Sequence, residues 1–108
     1  GHLVSIGQRA TTSGAAQALM FLNSPQGRRD ATACAARLEE LDDAAMIVRA
    51  WRLALGRTPA EAEIRLATRF LASQTEQHRA AGEADPRRMA RIDFCQTLFG
   101  MNEFLYVE

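Results

Sequence analysis

This chain of 108 residues contains no lysine, and all 13 of its basic side chains are arginine. They are balanced by 13 acidic side chains, so the formal net charge is zero. Without a net field, nothing draws the protein as a whole to a phosphate backbone, an anionic membrane or an acidic substrate. We attribute the missing lysine to GC-rich codon usage, although arginine also suits ion pairing.

Several other features are scarce. No apolar run approaches the roughly 20 residues that a membrane span needs. The 7 glycines stand singly, so no loop resembles a phosphate cradle. Two cysteines in a chain of this size do not make a disulfide framework. Cys34 and Cys95 can pair if the helices that carry them touch, but we expect two buried free thiols.

The residues that are present indicate a folded, all-α protein. Hydrophobic residues make up 47% of the chain and charged residues 24%, as in ordinary globular domains. No period-2 strand pattern appears. We expect residues 1–13 to be a tag remnant and flexible lead-in, and residues 14–108 to form a single helical domain cut from the C-terminal part of a larger protein.

Apolar spacing and capping residues predict a compact bundle of about five helices. Ser24 with Pro25, Asp42 with Asp43, and Asp85 with Pro86 are typical helix starts. The predicted helices cover residues 14–22, 25 to about 41, 42–55, 58 to about 82, and 85–100, followed by a final turn capped by Asn102.

The corner between the third and fourth predicted helices carries the clearest local signal. Gly56 stands where a helix end needs a left-handed residue, and Thr58 to Glu61 has the spacing of a capping box. Helical spacing also predicts one common core. Its expected members are Ile47, Trp51, Leu55, Ile64, Phe70, Ile92 and Phe99.

No set of residues has the spacing of a catalytic, cofactor or metal site. His78 lies in a polar stretch and is expected to be a solvated surface residue rather than a catalytic one. The acidic residues 39–43 lack the alternating ligands and central glycine of a calcium loop, so we interpret them as a solvated helix end and a cap. The paired arginines at 28–29 and 87–91 are the basic counterparts, but neutral net charge argues against nucleic-acid binding.

Three segments together resemble the C-terminal module of planctomycete proteins classed as domain of unknown function 1553. They are QALMFLNSP at residues 17–25, LGRTP at 55–59 followed by Glu61 and Glu63, and NEFLYV at 102–107. One departure is the polar run Gln26, Gly27 and Arg28, where the family usually has an apolar residue.

The resemblance implies an exported, multidomain parent protein, often with a cytochrome c-like domain upstream. This chain lacks a haem attachment motif, so no haem is expected on it. We therefore expect a non-catalytic scaffold or docking module whose partners are the upstream domains. The alternatives are binding of a surface polysaccharide, an active site completed by upstream domains, and, least favoured, nucleic-acid binding. Phe104 and Tyr106 are expected to pack on the bundle rather than to serve as a recognition tail.

Overall fold

The computed structural model describes residues 24–106, the last four of them by their backbone alone. This range folds into four α-helices with no strand. They are α1 (Pro25–Arg37), α2 (Asp43–Leu55), α3 (Glu61–Ala80) and α4 (Pro86–Tyr106). The all-helical prediction is confirmed. The helix number is four in this range rather than about five, and the predicted helix at residues 14–22 lies outside the described residues.

The starts of α1 and α2 follow the predicted caps. The backbone N–H of Gly27 donates to Ser24 Oγ over 2.9 Å, with Pro25 in the first helical position. The N–H of Ala45 donates to Asp42 Oδ1 over 2.9 Å in the same way. These bonds satisfy amide groups that have no partner inside the helix, so each fixes where its helix begins.

The first helix ends earlier than predicted, at Arg37 rather than near Leu41. The Leu38 N–H bonds the Ala35 carbonyl and the Leu41 N–H bonds the Leu38 carbonyl, both over 3.1 Å. These tighter i to i+3 bonds end the α-helical pattern. Arg91 of α4 donates to the carbonyls of Leu38 and Leu41, so the turn is also fixed by a tertiary contact.

The corner between α2 and α3 confirms one prediction and corrects another. Gly56 has φ +73° and its N–H bonds the Arg52 carbonyl, as predicted. The Thr58 cap was wrong, because α3 begins at Glu61 with Ala60 in the N-cap position. Glu63 Oε1 accepts the Ala60 N–H over 2.8 Å, and the Arg57 guanidinium binds both oxygens of Glu63 over 2.7 Å. The hydrogen bonds of Glu63 thus cap a helix that begins at Glu61, later than the predicted start at Thr58.

The last helix is longer than predicted, since it passes through Gly100 and Asn102 to Tyr106. Gly100 is not a helix end here: Gly100 and Met101 are both buried, and packing outweighs the ~1 kcal/mol that a mid-helix glycine costs. The polar stretch before α4 is also helical as far as Ala80, and Gly82 with φ +81° follows it. Packing of Phe104 and Tyr106 lies outside the described side chains.

The core forms around α4, which packs against each of the other three described helices, while α1 makes its main contacts with α4. Ile47, Trp51 and Ile92 are buried as predicted. The other four predicted members pack against the core but are only partly buried; they are Leu55, Ile64, Phe70 and Phe99. Phe94 was not predicted, yet its ring lies 6.4 Å from that of Trp51 and 6.3 Å from that of Phe70.

Candidate functional site

A cluster of polar side chains centred on Asp93 joins α1, α3 and α4. Asp93 Oδ2 accepts hydrogen bonds from Gln74 Nε2 over 2.9 Å and from the His78 Nε2 position over 2.6 Å. Its other oxygen, Oδ1, accepts from Arg28 Nη1 over 2.8 Å. The opposite ring nitrogen of His78 lies 3.0 Å from Glu83 Oε2. We call these five residues the Asp93 cluster.

The electrostatics of the Asp93 cluster favour an imidazolium ring between two carboxylates. The hydrogen bond to Asp93, followed by that to Glu83, raises the pKa of His78 above its ordinary value. Burial alone would raise the pKa of Asp93, but hydrogen bonds from Arg28, His78 and Gln74 outweigh burial and leave that pKa lowered. Both shifts favour the charged forms, so the cluster is an ion-pair network when His78 is protonated.

Both ring nitrogens of His78 have carboxylate partners in this arrangement. A general base needs a free ring nitrogen facing a nucleophile, whereas both nitrogens of His78 are bonded to carboxylates. The hydroxyl groups of Thr75 and Thr97 donate to the backbone carbonyls of Leu71 and Asp93. His78 was expected to be a solvated surface residue. That expectation was wrong, because only 18% of its side chain is exposed.

A second ionic cluster ties the turn after α1 to α4. Arg91 Nη2 donates to the Leu41 carbonyl over 2.9 Å and to Asp43 Oδ1 over 2.7 Å, and Arg87 reaches the same Asp43 oxygen over 2.9 Å. The hydrogen bond from Arg91 is the main reason that the pKa of Asp43 is lowered. The Arg91 side chain is 9% exposed. We call Asp43, Arg87 and Arg91 the Arg91 cluster.

These clusters contain several of the charged residues that the sequence singles out. Asp42 is a helix cap and Asp43 an ion-pair partner, so the acidic run at 39–43 is only partly a solvated helix end. Arg28, Arg87 and Arg91 likewise already have carboxylate partners within the chain.

Two open grooves flank the Arg91 cluster. One, of about 350 Å³, lies along α3 and the start of α4 and is lined by polar groups that include Thr68, Thr75, Arg79 and Arg87. The other, of about 480 Å³, lies beside the turn after α1 and mixes carboxylates such as Glu39 with arginines. No aromatic ring lines either groove within the described part of the chain.

The two cysteines lie together at the interface of α1 and α4. Both are free thiols; Cys95 is buried, whereas Cys34 is only partly buried. The neighbouring Cys95 thiol, aided by Arg37, lowers the pKa of Cys34 to about 7 against the effect of burial. The same contact and burial raise the pKa of Cys95. The expectation of free thiols is confirmed, and that of full burial holds for Cys95 alone.

Two further findings apply to the described helices and turns. None of the helices at residues 25–106 combines the length and apolar character of a membrane span. Nor do three histidine, cysteine or carboxylate side chains in that part of the chain converge on a point where they would hold a metal ion.

A family described as "Protein of unknown function (DUF1553)" matches residues 2–71 of the chain, which is more than half of its length. The chain belongs to this family. The DUF1553 match includes the first two segments of the resemblance, and it ends within α3, so the third segment at 102–107 lies beyond it. No curated protein and no solved structure is significantly similar to this chain.

In this DUF1553 chain, sequence reasoning missed the Asp93 cluster. No sequence pattern pointed to Asp93, because its partners come from α1 and α3 at sequence separations of 65 and 15 residues. One signal was available: Asp93 lies among Ile92, Phe94 and Cys95 on a strongly apolar helix, and a carboxylate in such a place requires a partner.

Proposed function

We propose that this chain is a non-catalytic helical scaffold or docking module at the C-terminus of a larger exported multidomain protein. The proposal is supported by the hydrogen-bond partners of the half-buried polar groups. The side chains suited to acid–base chemistry bind one another across helix interfaces, as in the Asp93 cluster. Groups engaged in this way stabilise a packed arrangement of helices.

A docking module needs a contact surface, and α2 and α3 offer two exposed leucines. Leu53 is 54% exposed and Leu66 is 49% exposed, which makes them the most exposed large hydrophobic residues in the described range. Single exposed apolar residues are normal, whereas a contiguous apolar patch commonly marks an interface. These two leucines are carried by α2 and α3, which pack against each other. We infer that they contact an upstream domain of the same parent chain, such as the cytochrome c-like domain that the family resemblance implies.

The test mixes the isolated chain with the separately produced remainder of its parent protein and measures complex formation by calorimetry. The Leu53→Ser, Leu66→Ser double variant should bind at least about tenfold more weakly, because each lost apolar contact is worth roughly 1 kcal/mol or more. Ala62→Ser, at another exposed position of α3, is the matched control. Unchanged affinity in the double variant would contradict the proposed surface, and no detectable complex would contradict the docking function.

A second candidate function is binding of an anionic surface polysaccharide in the groove along α3. Arg79, Arg87 and the hydroxyl groups of Thr68 and Thr75 support it. It ranks second because Arg79 already pairs with Glu76 and Arg87 with Asp43. Titration with a sulfated oligosaccharide, comparing the wild type with Arg87→Ser, tests it; equal binding by the two proteins would remove this candidate.

A further inference from the structure

The turn between α3 and α4 is connected to the rest of the Asp93 cluster through Glu83. All the residues of this turn, 81–85, are exposed, and the amide groups of residues 81–83 bond carbonyls at the end of α3 over 3.0–3.1 Å. The Glu83 carboxylate adds a side-chain contact, since its Oε2 lies 3.0 Å from Nδ1 of His78. The other ring nitrogen, Nε2, lies 2.6 Å from Asp93 Oδ2 on α4. The His78 ring therefore bridges the turn and α4.

The two contacts of the His78 ring require two ring protons. An ionised carboxylate only accepts hydrogen bonds, so each ring nitrogen has to donate. The imidazolium form has an N–H on both nitrogens, whereas the neutral ring has one N–H and one lone pair. Loss of one proton therefore ends one of the two hydrogen bonds and places a lone pair against a negatively charged oxygen.

The contact with Glu83 is the one that deprotonation should break. Asp93 is the less exposed of the two carboxylates, with 17% of its side chain exposed against 36% for Glu83. Arg28 and Gln74 also bond Asp93, so it loses those partners if it turns away from the ring. Glu83 can instead rotate into solvent and be hydrated there. The remaining ring proton is thus expected on Nε2, where it faces the half-buried carboxylate that most needs a donor.

We propose that His78 is a pH-sensitive switch that controls the turn between α3 and α4. The imidazolium ring binds the turn through Glu83. The neutral ring keeps its contact with Asp93 and releases Glu83, so residues 81–85 open while the helices stay packed. This switch does not depend on the proposed docking function, because Glu83 follows the C-terminus of α3 whereas Leu66 lies in the N-terminal half of that helix.

Among the described residues that surround the ring, His78 is the group that titrates near neutral pH. Asp93 faces the ring from α4, Arg28 reaches the same carboxylate from α1, and Glu83 faces the ring from the turn. Carboxyl groups titrate near pH 4 and arginine stays charged, so these neighbours keep their charges between about pH 6 and pH 9. Hydrogen bonds to Asp93 and Glu83 raise the pKa of His78, so the release of Glu83 takes place above the ordinary value of about 6.5.

NMR spectroscopy of the ¹⁵N-labelled 108-residue chain tests the switch. The two ring nitrogens of His78 give separate signals, which show whether the neutral ring carries its proton on Nε2 or on Nδ1. We expect the proton on Nε2 at about pH 8.5, where the neutral ring is favoured. Protection of the amide groups of residues 81–83 from exchange, relative to the unfolded chain at the same pH, should be several-fold lower at about pH 8.5 than at about pH 6.

Glu83→Gln separates the switch from a general effect of pH. A glutamine amide can accept a hydrogen bond from an N–H group or donate one to a lone pair, so it can bond the His78 ring in either form. Amide protection at residues 81–83 should then be equal at the two pH values. Glu76→Gln is the matched control. It removes a carboxylate of α3 that pairs with Arg79 rather than with His78, so this variant should keep the wild-type response.

Three results would each overturn the proposal. The first is equal protection of residues 81–83 in the wild-type chain at both pH values. The second is a neutral ring with its proton on Nδ1, which would mean that Asp93 is released instead of Glu83. The third is the same fall in protection in the wild type and in Glu83→Gln. All three proteins retain Cys34, so its titration contributes equally to each, and none of these results depends on whether the chain docks to an upstream domain.

Discussion

At the scale of single residues, the Asp93 cluster makes stability depend on pH in two directions. The pKa of His78 is raised in the folded chain, so its contribution is complete below the ordinary value of about 6.5 and is lost as the pH rises through the folded pKa. The pKa of Asp93 is lowered, so its contribution is present above about pH 4 and is lost as the pH falls through the folded pKa. Stability from this cluster should therefore be greatest between about pH 4 and pH 6.5.

Replacing His78 by glutamine should remove the loss of stability that His78 causes as the pH rises. The free energy of unfolding of the wild type, relative to that of His78→Gln, should fall as the pH rises from about 6 to about 8.5, because the glutamine amide does not titrate. Urea unfolding of both proteins at matched pH measures the difference, and titration of Cys34, which both proteins retain, largely cancels. His2→Gln is the control for the other histidine. Parallel profiles of the wild type and His78→Gln would refute the ion-pair interpretation.

The single residues that sequence predicted correctly are those whose partners are local. Ser24 and Asp42 each accept an amide hydrogen bond from three residues further along the chain, which spacing alone reveals. His78 and Asp93 were not predicted as a pair, because only the packing of α3 on α4 brings them together. A polar residue in a polar stretch gives no sign of such a distant partner.

At the scale of elements, the turn between α1 and α2 is held by a side chain from α4. The backbone of residues 38–42 contains carbonyl groups released where α1 ends, and the buried guanidinium of Arg91 binds two of them. Hydrogen bonds from a charged donor to buried acceptors contribute more than neutral ones. The position of this turn thus depends on α4 as well as on its own sequence.

Arg91→Met should destabilise the chain by roughly 2–3 kcal/mol, because methionine fills the apolar space but removes the charged donor of the Leu41 carbonyl, the second donor of the Leu38 carbonyl and a partner of Asp43. Arg88→Met is the matched control: Arg88 lies on the same helix but is exposed, so its loss should change stability by less than about 0.5 kcal/mol. Chemical denaturation measures both. Equal effects of the two substitutions would show that the Arg91 contacts contribute no stability.

Two glycines show that a local sequence signal does not always predict where a helix ends. Gly56 ends α2 at an exposed corner. Its positive φ lets the chain leave the helix while its N–H bonds the Arg52 carbonyl. Gly100 carries the same local signal, yet α4 continues, because this part of the helix is buried against its neighbours. The sequence does not distinguish the two glycines, since burial depends on the assembled bundle.

At the scale of the whole molecule, α4 is the element on which the other described helices pack. Its backbone remains helical to Tyr106, beyond the predicted stop at Gly100. The buried residues Leu98 and Met101 show that the core extends into this last part of the helix. The end of the chain is therefore expected to be structural rather than a detachable tail.

Deleting residues 103–108 should lower the urea midpoint. The deletion removes a turn of α4 and, with it, the aromatic side chains of Phe104 and Tyr106, each worth roughly 1.5–3 kcal/mol if buried. Urea unfolding of the shortened and full chains measures the change, and glutamate-to-glutamine substitution at Glu108 controls for lost terminal charge. An unchanged midpoint would indicate that the terminal aromatics serve a partner instead of the core.

The central position of α4 also governs the order in which the chain can fold during its synthesis. The ribosome releases α1, α2 and α3 before α4, and α1 has its main contacts with α4. Until α4 emerges, the apolar face of α1 lacks the helix with which it makes its main described contacts, so the nascent chain exposes apolar surface. Stable packing of these helices must wait for α4. A translational pause shortly before α4 would prolong this vulnerable state, which is the interval in which a chaperone is most useful.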